Sequence, residues 1–252
     1  MIKKGQLVVI DGIDGSGKAT QVKLLATKLK KLKVPVKTID FPRYYDNFFG
    51  QLIGECLSGQ YGDFVQTDSH IASVLYAADR FESSRRIKQW LEQGFLVIAD
   101  RYVSANQIHQ GGKIADSKKR QAFLTWLDTM EYKVFKIPRP DLVIYLDVPF
   151  EVSVNWLKQK VAKQKKKYLK GQKDIAESNF LYLKNSRTSA LSLAKQNKNW
   201  LRIECCRGRV CLSPEQVNEA VFSLIQKHFL TKPGRWIILV SLWKNILSSS
   251  SL

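Results

Sequence analysis

Gly12-Ile13-Asp14-Gly15-Ser16-Gly17-Lys18 has the spacing G-x-x-x-x-G-K and lies between the apolar run Leu7 to Ile10 and a helical pattern. A glycine-rich turn in that setting lets backbone N–H groups face inward around a triphosphate, and the following helix adds its positive N-terminus. Lys18 is then placed to touch the β- and γ-phosphates. The hydroxyl residue that often follows this lysine and ligates Mg²⁺ is here Ala19, with the hydroxyl one place later at Thr20. Magnesium is therefore expected through Asp14, Asp100 and water.

These residues must be held by strands and helices in alternation. Leu7 to Ile10 reads as a short apolar strand, and Val36 to Ile39, Phe95 to Ile98 and Leu142 to Leu146 give a second, third and fourth. A helix runs through Val22, Leu24, Leu25, Leu29 and Leu32, and others fall between the later strands. The pattern predicts an α/β fold, a P-loop type parallel sheet with helices on both faces and a short helical lid. Pro214 to Phe229 reads as a last amphipathic helix, so one domain is expected over residues 1–230. Residues 231–252 form an extension of unknown role. Within it, Trp236 to Leu247 has an apolar face of Ile238, Leu239, Leu242 and Ile246, and is too short to span a bilayer, which takes roughly 20 residues. A helix packed on the body or on a neighbouring subunit is expected there, ahead of a disordered extension and of an interfacial membrane helix.

A chain of 252 residues with 44% hydrophobic content is long enough for one sizeable core. Met1-Ile2-Lys3-Lys4 leads into an apolar run too short for a signal peptide, and a cytoplasmic location is expected. The four cysteines make no disulfide framework in a chain of this length, and Cys205, Cys206 and Cys211 match no common zinc spacing. They read as reduced thiols. The formal charge of +19 fits nucleic acid, an anionic surface or a polyanionic small substrate. Much of it sits between Leu157 and Asp174, which holds eight lysines against one acid and cannot be core. No aromatic-interleaved basic groove or nucleic-acid module accompanies it, so no specific nucleic acid is expected.

Four motifs together resemble the thymidylate kinases, over most of residues 6–229. They are the P-loop with Asp14 inside it, Phe41-Pro42-Arg43-Tyr44, Tyr76-Ala77-Ala78-Asp79-Arg80-Phe81-Glu82, and Asp100-Arg101-Tyr102-Val103-Ser104-Ala105-Asn106 with His109-Gln110-Gly111. The resemblance implies phosphorylation of dTMP to dTDP by ATP with Mg²⁺, in a homodimer. It puts Asp14 beside the sugar 3′-hydroxyl and the metal, and Arg43 and Arg101 on the acceptor phosphate. Tyr76 stacks on thymine, Arg80 and Asn106 face the base edge, and Phe41, His109 and Gln110 complete the substrate site. His109 stands where many relatives have a tyrosine near the sugar 2′ position. The lid, about residues 157–178, keeps the acids Asp174 and Glu177 but has lysines where arginines are usual, with Lys170 and Lys173 the chosen phosphate contacts. The tyrosine expected after the lid is missing from Ser189-Ala190-Leu191. Another nucleoside-monophosphate kinase, a nucleic-acid-binding P-loop ATPase and a non-catalytic binding protein are the rival readings.

Overall fold

Leu-Val-Val-Ile in the first strand and Leu-Val-Ile-Tyr-Leu in the fourth are apolar on both sides, as strands covered on both faces require. In the computed structural model, which describes residues 4–163, 167–169, 174–208 and 210–230, they lie at the centre of a five-stranded parallel sheet. The chain runs β1 (Gln6–Asp11), α1 (Lys18–Lys31), β2 (Val36–Asp40), α2 (Phe48–Leu57), α3 (Ser69–Glu92), β3 (Leu96–Asp100), α4 (Val103–Gly112) and α5 (Ser117–Asp128). It continues through a wide turn at Thr129–Val134, β4 (Leu142–Asp147), α6 (Phe150–Lys163), α7 (Ile175–Ser178), α8 (Phe180–Gln196), β5 (Trp200–Glu204), the hairpin β6 (Cys206–Arg207) and β7 (Val210–Cys211), and α9 (Pro214–Ile225). The sheet order is β2-β3-β1-β4-β5.

The period-2 alternation of each strand divides the core in two. Leu7, Val9, Val97, Ala99, Val143 and Tyr145 pack against α3, α4, α5 and α8. Val8, Ile10, Ile98, Leu142, Ile144 and Leu146 pack against α1 and α9 on the other face. The register sets Ile10 opposite Asp100, and Asp100 opposite Asp40, so acidic side chains end neighbouring strands at one rim. Among the described residues no helix is long and apolar enough to cross a membrane.

The expected strands and the last helix are present. The fifth strand and the β6–β7 hairpin were not anticipated: Trp200–Glu204 is a short edge strand interrupted by Arg202, and the hairpin strands have two residues each. The hairpin also corrects the reading of four reduced thiols: Cys206 and Cys211 are joined in a disulfide, and Cys56 and Cys205 are free and buried. Antiparallel pairing across the turn at Gly208 (φ 62°) sets Cys206 and Cys211 directly opposite, a closeness that sequence spacing alone does not convey. The tail helix, Lys170 and Lys173 lie outside the described residues.

Candidate active site

A cavity of about 600 Å³ opens above the C-terminal ends of β1 and β3, the side of a parallel sheet where ligands bind. The P-loop forms one wall. Gly15 and Gly17 have φ of 82° and 87°, which favours glycine, and a Cβ at Gly15 would lie 2.5 Å from the Ser153 carbonyl oxygen of α6. Residues Asp14 to Gln21 line the cavity, whereas Gly12 and Ile13 lie behind it and accept hydrogen bonds from Lys18 Nζ, both at 3.0 Å. Burial, together with the nearby Arg101, pushes the Lys18 ammonium below its usual range. Ala19 and Thr20 are both on the wall.

Asp100 and Arg101 leave β3 into the middle of the cavity. Burial raises the Asp100 carboxyl, against the opposing pull of Lys18 and Arg101. Arg101 has φ 64°, the left-handed region that a side chain occupies at a cost of order 1–3 kcal/mol when its surroundings demand it. Those surroundings are specific: its N–H donates to the Ile10 carbonyl at 3.1 Å, Nη2 donates to Asp14, and Nη1 meets Nε2 of His109 at 2.9 Å. Burial opposes its charge, but Asp14, Asp11 and Asp100 outweigh that and keep it protonated.

Opposite the P-loop the wall is aromatic and polar. Tyr76, packed on Phe64 at 6.0 Å between centroids, and the buried Phe41, 5.7 Å from Tyr102, flank it with Asn106, His109 and Gln110. Asn106 Nδ2 donates to the Ser73 carbonyl at 3.3 Å, and Gln110 Oε1 accepts from Lys113 at 3.0 Å. Arg80 also reaches the cavity, with its guanidinium held by the buried Glu131 through Nη2 and through Nε at 3.1 and 3.3 Å. From the lid region Asp174 and Glu177 line the cavity, Asp174 capping α7 through the N–H groups of Ala176 and Glu177 at 3.0 and 3.2 Å. A mostly apolar end beside the P-loop is made by Trp156, Leu157, Cys205, Leu212, Pro214 and Val217.

Arg43 lies between Pro42 and Tyr44, which line the cavity, and its guanidinium is taken by Asp46 and, at 3.5 Å, by Asp40, which lie three residues away on either side. The aromatic sought at Ser189-Ala190-Leu191 is supplied two turns earlier by Tyr182, which lines the cavity and stacks on His109 at 5.6 Å and 21°. Residues 182 and 189 share a helix face, so an alignment of α8 by spacing alone misses a ring moved along it. Asp11, Glu131 and Ser186 were also missed. Asp11 is wholly buried under the P-loop, accepts from the Gly12 N–H at 2.8 Å and the Ser104 hydroxyl at 2.5 Å, and has its carboxyl raised by burial. Its position at the end of an apolar strand was the available signal for it.

The family model described as thymidylate kinase matches residues 10–209. The chain is similar to thymidylate kinase of Plasmodium falciparum, 33% identical over 172 residues that make up 66% of this chain and 75% of that one. It is 31% identical to thymidylate kinase of Mycobacterium tuberculosis over 58% of this chain and 68% of that one. A probable thymidylate kinase of Pyrococcus abyssi is 38% identical over 60% and 69% of the two chains. The solved structure of Candida albicans thymidylate kinase has the same fold, with a TM-score of 0.66 at 24% identity over 89% of this chain and 92% of that one. A match running from β1 to the β6–β7 hairpin takes in most of the cavity wall, and the chain belongs to the thymidylate kinase family.

Proposed function

We propose that the cavity transfers the γ-phosphoryl group of ATP directly, in line, to the phosphate of dTMP, with the residue roles that follow. Kinase activity on dTMP comes with the family. The observation that carries the local reading is that one cavity has a P-loop at one end, an aromatic and amide wall at the other, and Arg101 between them. Joining two polyanions requires positive charge at the junction, and phosphoryl transfer is accelerated mainly by positioning and charge neutralisation.

ATP lies along Asp14 to Thr20 with its phosphates at Lys18, and its base meets the apolar end at Leu212, Pro214 and Val217. dTMP lies with thymine on Tyr76 beside Arg80 and Asn106, its sugar near Asp14 and His109, and its phosphate at Arg101. Arg43 contributes only after leaving Asp40 and Asp46. Mg²⁺ fits the donors present, since Asp14 and Asp100 line one cavity beside the phosphate cradle and Mg²⁺ takes one or two carboxylates with waters and phosphate oxygens. When bound, it neutralises charge on the β- and γ-phosphates. The lid, about 157–178, supplies lysines as point charges for the phosphates, Lys170 and Lys173, which lie outside the described residues, being the chosen contacts. A homodimer belongs to this proposal on the strength of the family resemblance, and a cytoplasmic setting and a single domain over residues 1–230 on that of the sequence pattern.

The test is ADP formation with Mg²⁺-ATP against dTMP, dUMP, UMP, dCMP, dGMP and dAMP, with Arg101→Ala alongside. Turnover highest with dTMP, and about 10²–10³-fold lower in the variant, is expected for a lost charge-stabilising donor. A folded protein without dTMP-stimulated turnover overturns the reading.

A further inference from the structure

Nη1 of Arg101 is 2.9 Å from Nε2 of His109. A guanidinium has only donors and does not lose a proton in proteins, so Nε2 is the acceptor and carries no hydrogen. The ring proton is then on Nδ1, which lies 3.0 Å from Ser186 Oγ. That hydroxyl donates its own proton to the Tyr182 carbonyl at 2.7 Å, leaving its lone pairs to receive Nδ1–H. Each bond in the line from Arg101 through His109 and Ser186 to Tyr182 thus has one direction. Burial, and after it the charge of Arg101, lowers the His109 pKa to about 3, in keeping with a neutral ring. Tyr182 covers one face of the imidazole.

A histidine that merely fills a core finds a carbonyl or a water for its ring nitrogens. His109 instead stands on the cavity wall and gives its only acceptor to a cation that also grips the P-loop through Asp14. We propose that His109 is a positioning residue for the transfer: held in the Nδ1–H tautomer by Ser186, it fixes the Arg101 guanidinium in the orientation that meets the acceptor phosphate. Ser186 belongs to α8, the helix that follows the acids Asp174 and Glu177, so this alignment is set from the lid side of the cavity. The inference rests on the role given to Arg101 above.

Two measurements test it. Histidine-labelled protein without nucleotide is followed by ¹⁵N NMR, the His109 signals being assigned by their loss in His109→Phe. The expected spectrum has Nδ1 protonated and Nε2 bare, unchanged from pH 8 to about 5, because the lowered pKa lies well below that range. An Nε2–H tautomer, or a titration near the ordinary imidazole value, overturns the inference. In kinetics, His109→Phe keeps a ring against Tyr182 but has no acceptor, and a misplaced reacting group costs about 10- to 100-fold in kcat/KM for dTMP. KM for ATP is expected to change less than KM for dTMP, because Lys18 and the P-loop backbone make no contact with His109. His109→Gln, whose amide oxygen accepts, recovers most of the loss, and Ser186→Ala shows an intermediate one. A His109→Phe protein that melts cooperatively and matches wild type in kcat/KM for dTMP overturns the positioning role. Wild-type protein with no dTMP-dependent turnover instead removes the reading of Arg101, and the spectra, which need no turnover, tell the two failures apart.

Discussion

Arg80 and Glu131 are both essentially withdrawn from water, at 2% and 0% side-chain exposure, with the guanidinium spread over both carboxylate oxygens. Such a pair contributes little net stability when intact but is costly to break, because the survivor is left as a buried lone charge. Glu131→Ala is therefore expected to lower stability by about 3–5 kcal/mol in urea unfolding and to raise KM for dTMP as Arg80 loses its anchor. His109 gives a signed pH dependence. Its folded pKa of about 3 lies below the unfolded value of 6.5, so between those limits the unfolded chain takes up a proton that the native state refuses. Stability from this group is intact above about pH 6.5 and falls as pH drops, by about 1 kcal/mol per unit. Asp11 and Asp100, raised by burial, act in the opposite sense: they favour the native state below the ordinary carboxylate range and lose that contribution as pH rises. Urea unfolding of wild type and His109→Phe from pH 7 to 5 is expected to show a shallower acid loss in the variant; equal slopes would refute the burial of a neutral His109. Lys18, Asp14, Asp100 and Arg101 were legible in the sequence because a P-loop and a strand end fix their neighbours within a few residues. Glu131 and Ser186 were not, since each acquires its partner across at least 51 positions of chain.

Between elements, the decisive packing is of α8 on α4, where the Ser189 hydroxyl donates to the Gln107 carbonyl at 3.2 Å and Ser186 meets His109. A Cβ at Gly112 would already sit 3.1 Å from the Asn185 carbonyl oxygen, so the two helices approach closely there. This contact brings Tyr182 into the cavity, and periodicity within α8 does not reveal it, because helical spacing gives a face but not what the face will meet. β1, β3 and β4 were legible for the opposite reason, their apolar runs being dictated by burial on both sides. Segment 41–47 shows a further constraint: a Cβ at Gly50 would lie 2.1 Å from the Arg43 carbonyl oxygen and 3.0 Å from an Asp79 carboxylate oxygen. Asp79 in turn accepts from the Arg43 N–H at 3.1 Å and from Asn47 at 2.9 Å. Gly50→Ala must push that segment away from α2, and is expected to cost about 1–3 kcal/mol in stability. KM for dTMP should rise more than KM for ATP; equal KM values for dTMP in wild type and variant would show that the segment does not shape the acceptor site.

For the whole molecule, the charge of +19 acts on every anion that approaches. Both proposed substrates are polyanions, and exposed charges are screened over about 10 Å at 0.1 M salt. KM for ATP and for dTMP is accordingly expected to rise between about 0.05 and 0.3 M salt, with a smaller change in kcat, since the charges inside the cavity are shielded from solvent ions. A salt-independent KM would remove long-range attraction from the account. The sign and size of the net charge, and its concentration between Leu157 and Asp174, could be counted from the sequence.

The parallel register has a consequence for how the chain tolerates change in length. Ile10 faces Asp100, which also faces Asp40, so the strand ends reach the rim together. Insertion or deletion of a single residue inside β3 would either displace Asp100 from the rim or turn the side chains on one side of the change to the opposite face, mixing the two cores. The connection between α2 and α3 is open only at its tip: the Cβ positions at Gly59 and Gly62 meet nothing within 4 Å, whereas Phe64 a little further on is buried against Tyr76. Natural variation in length should therefore collect at that tip, while the strands act as spacers of fixed length.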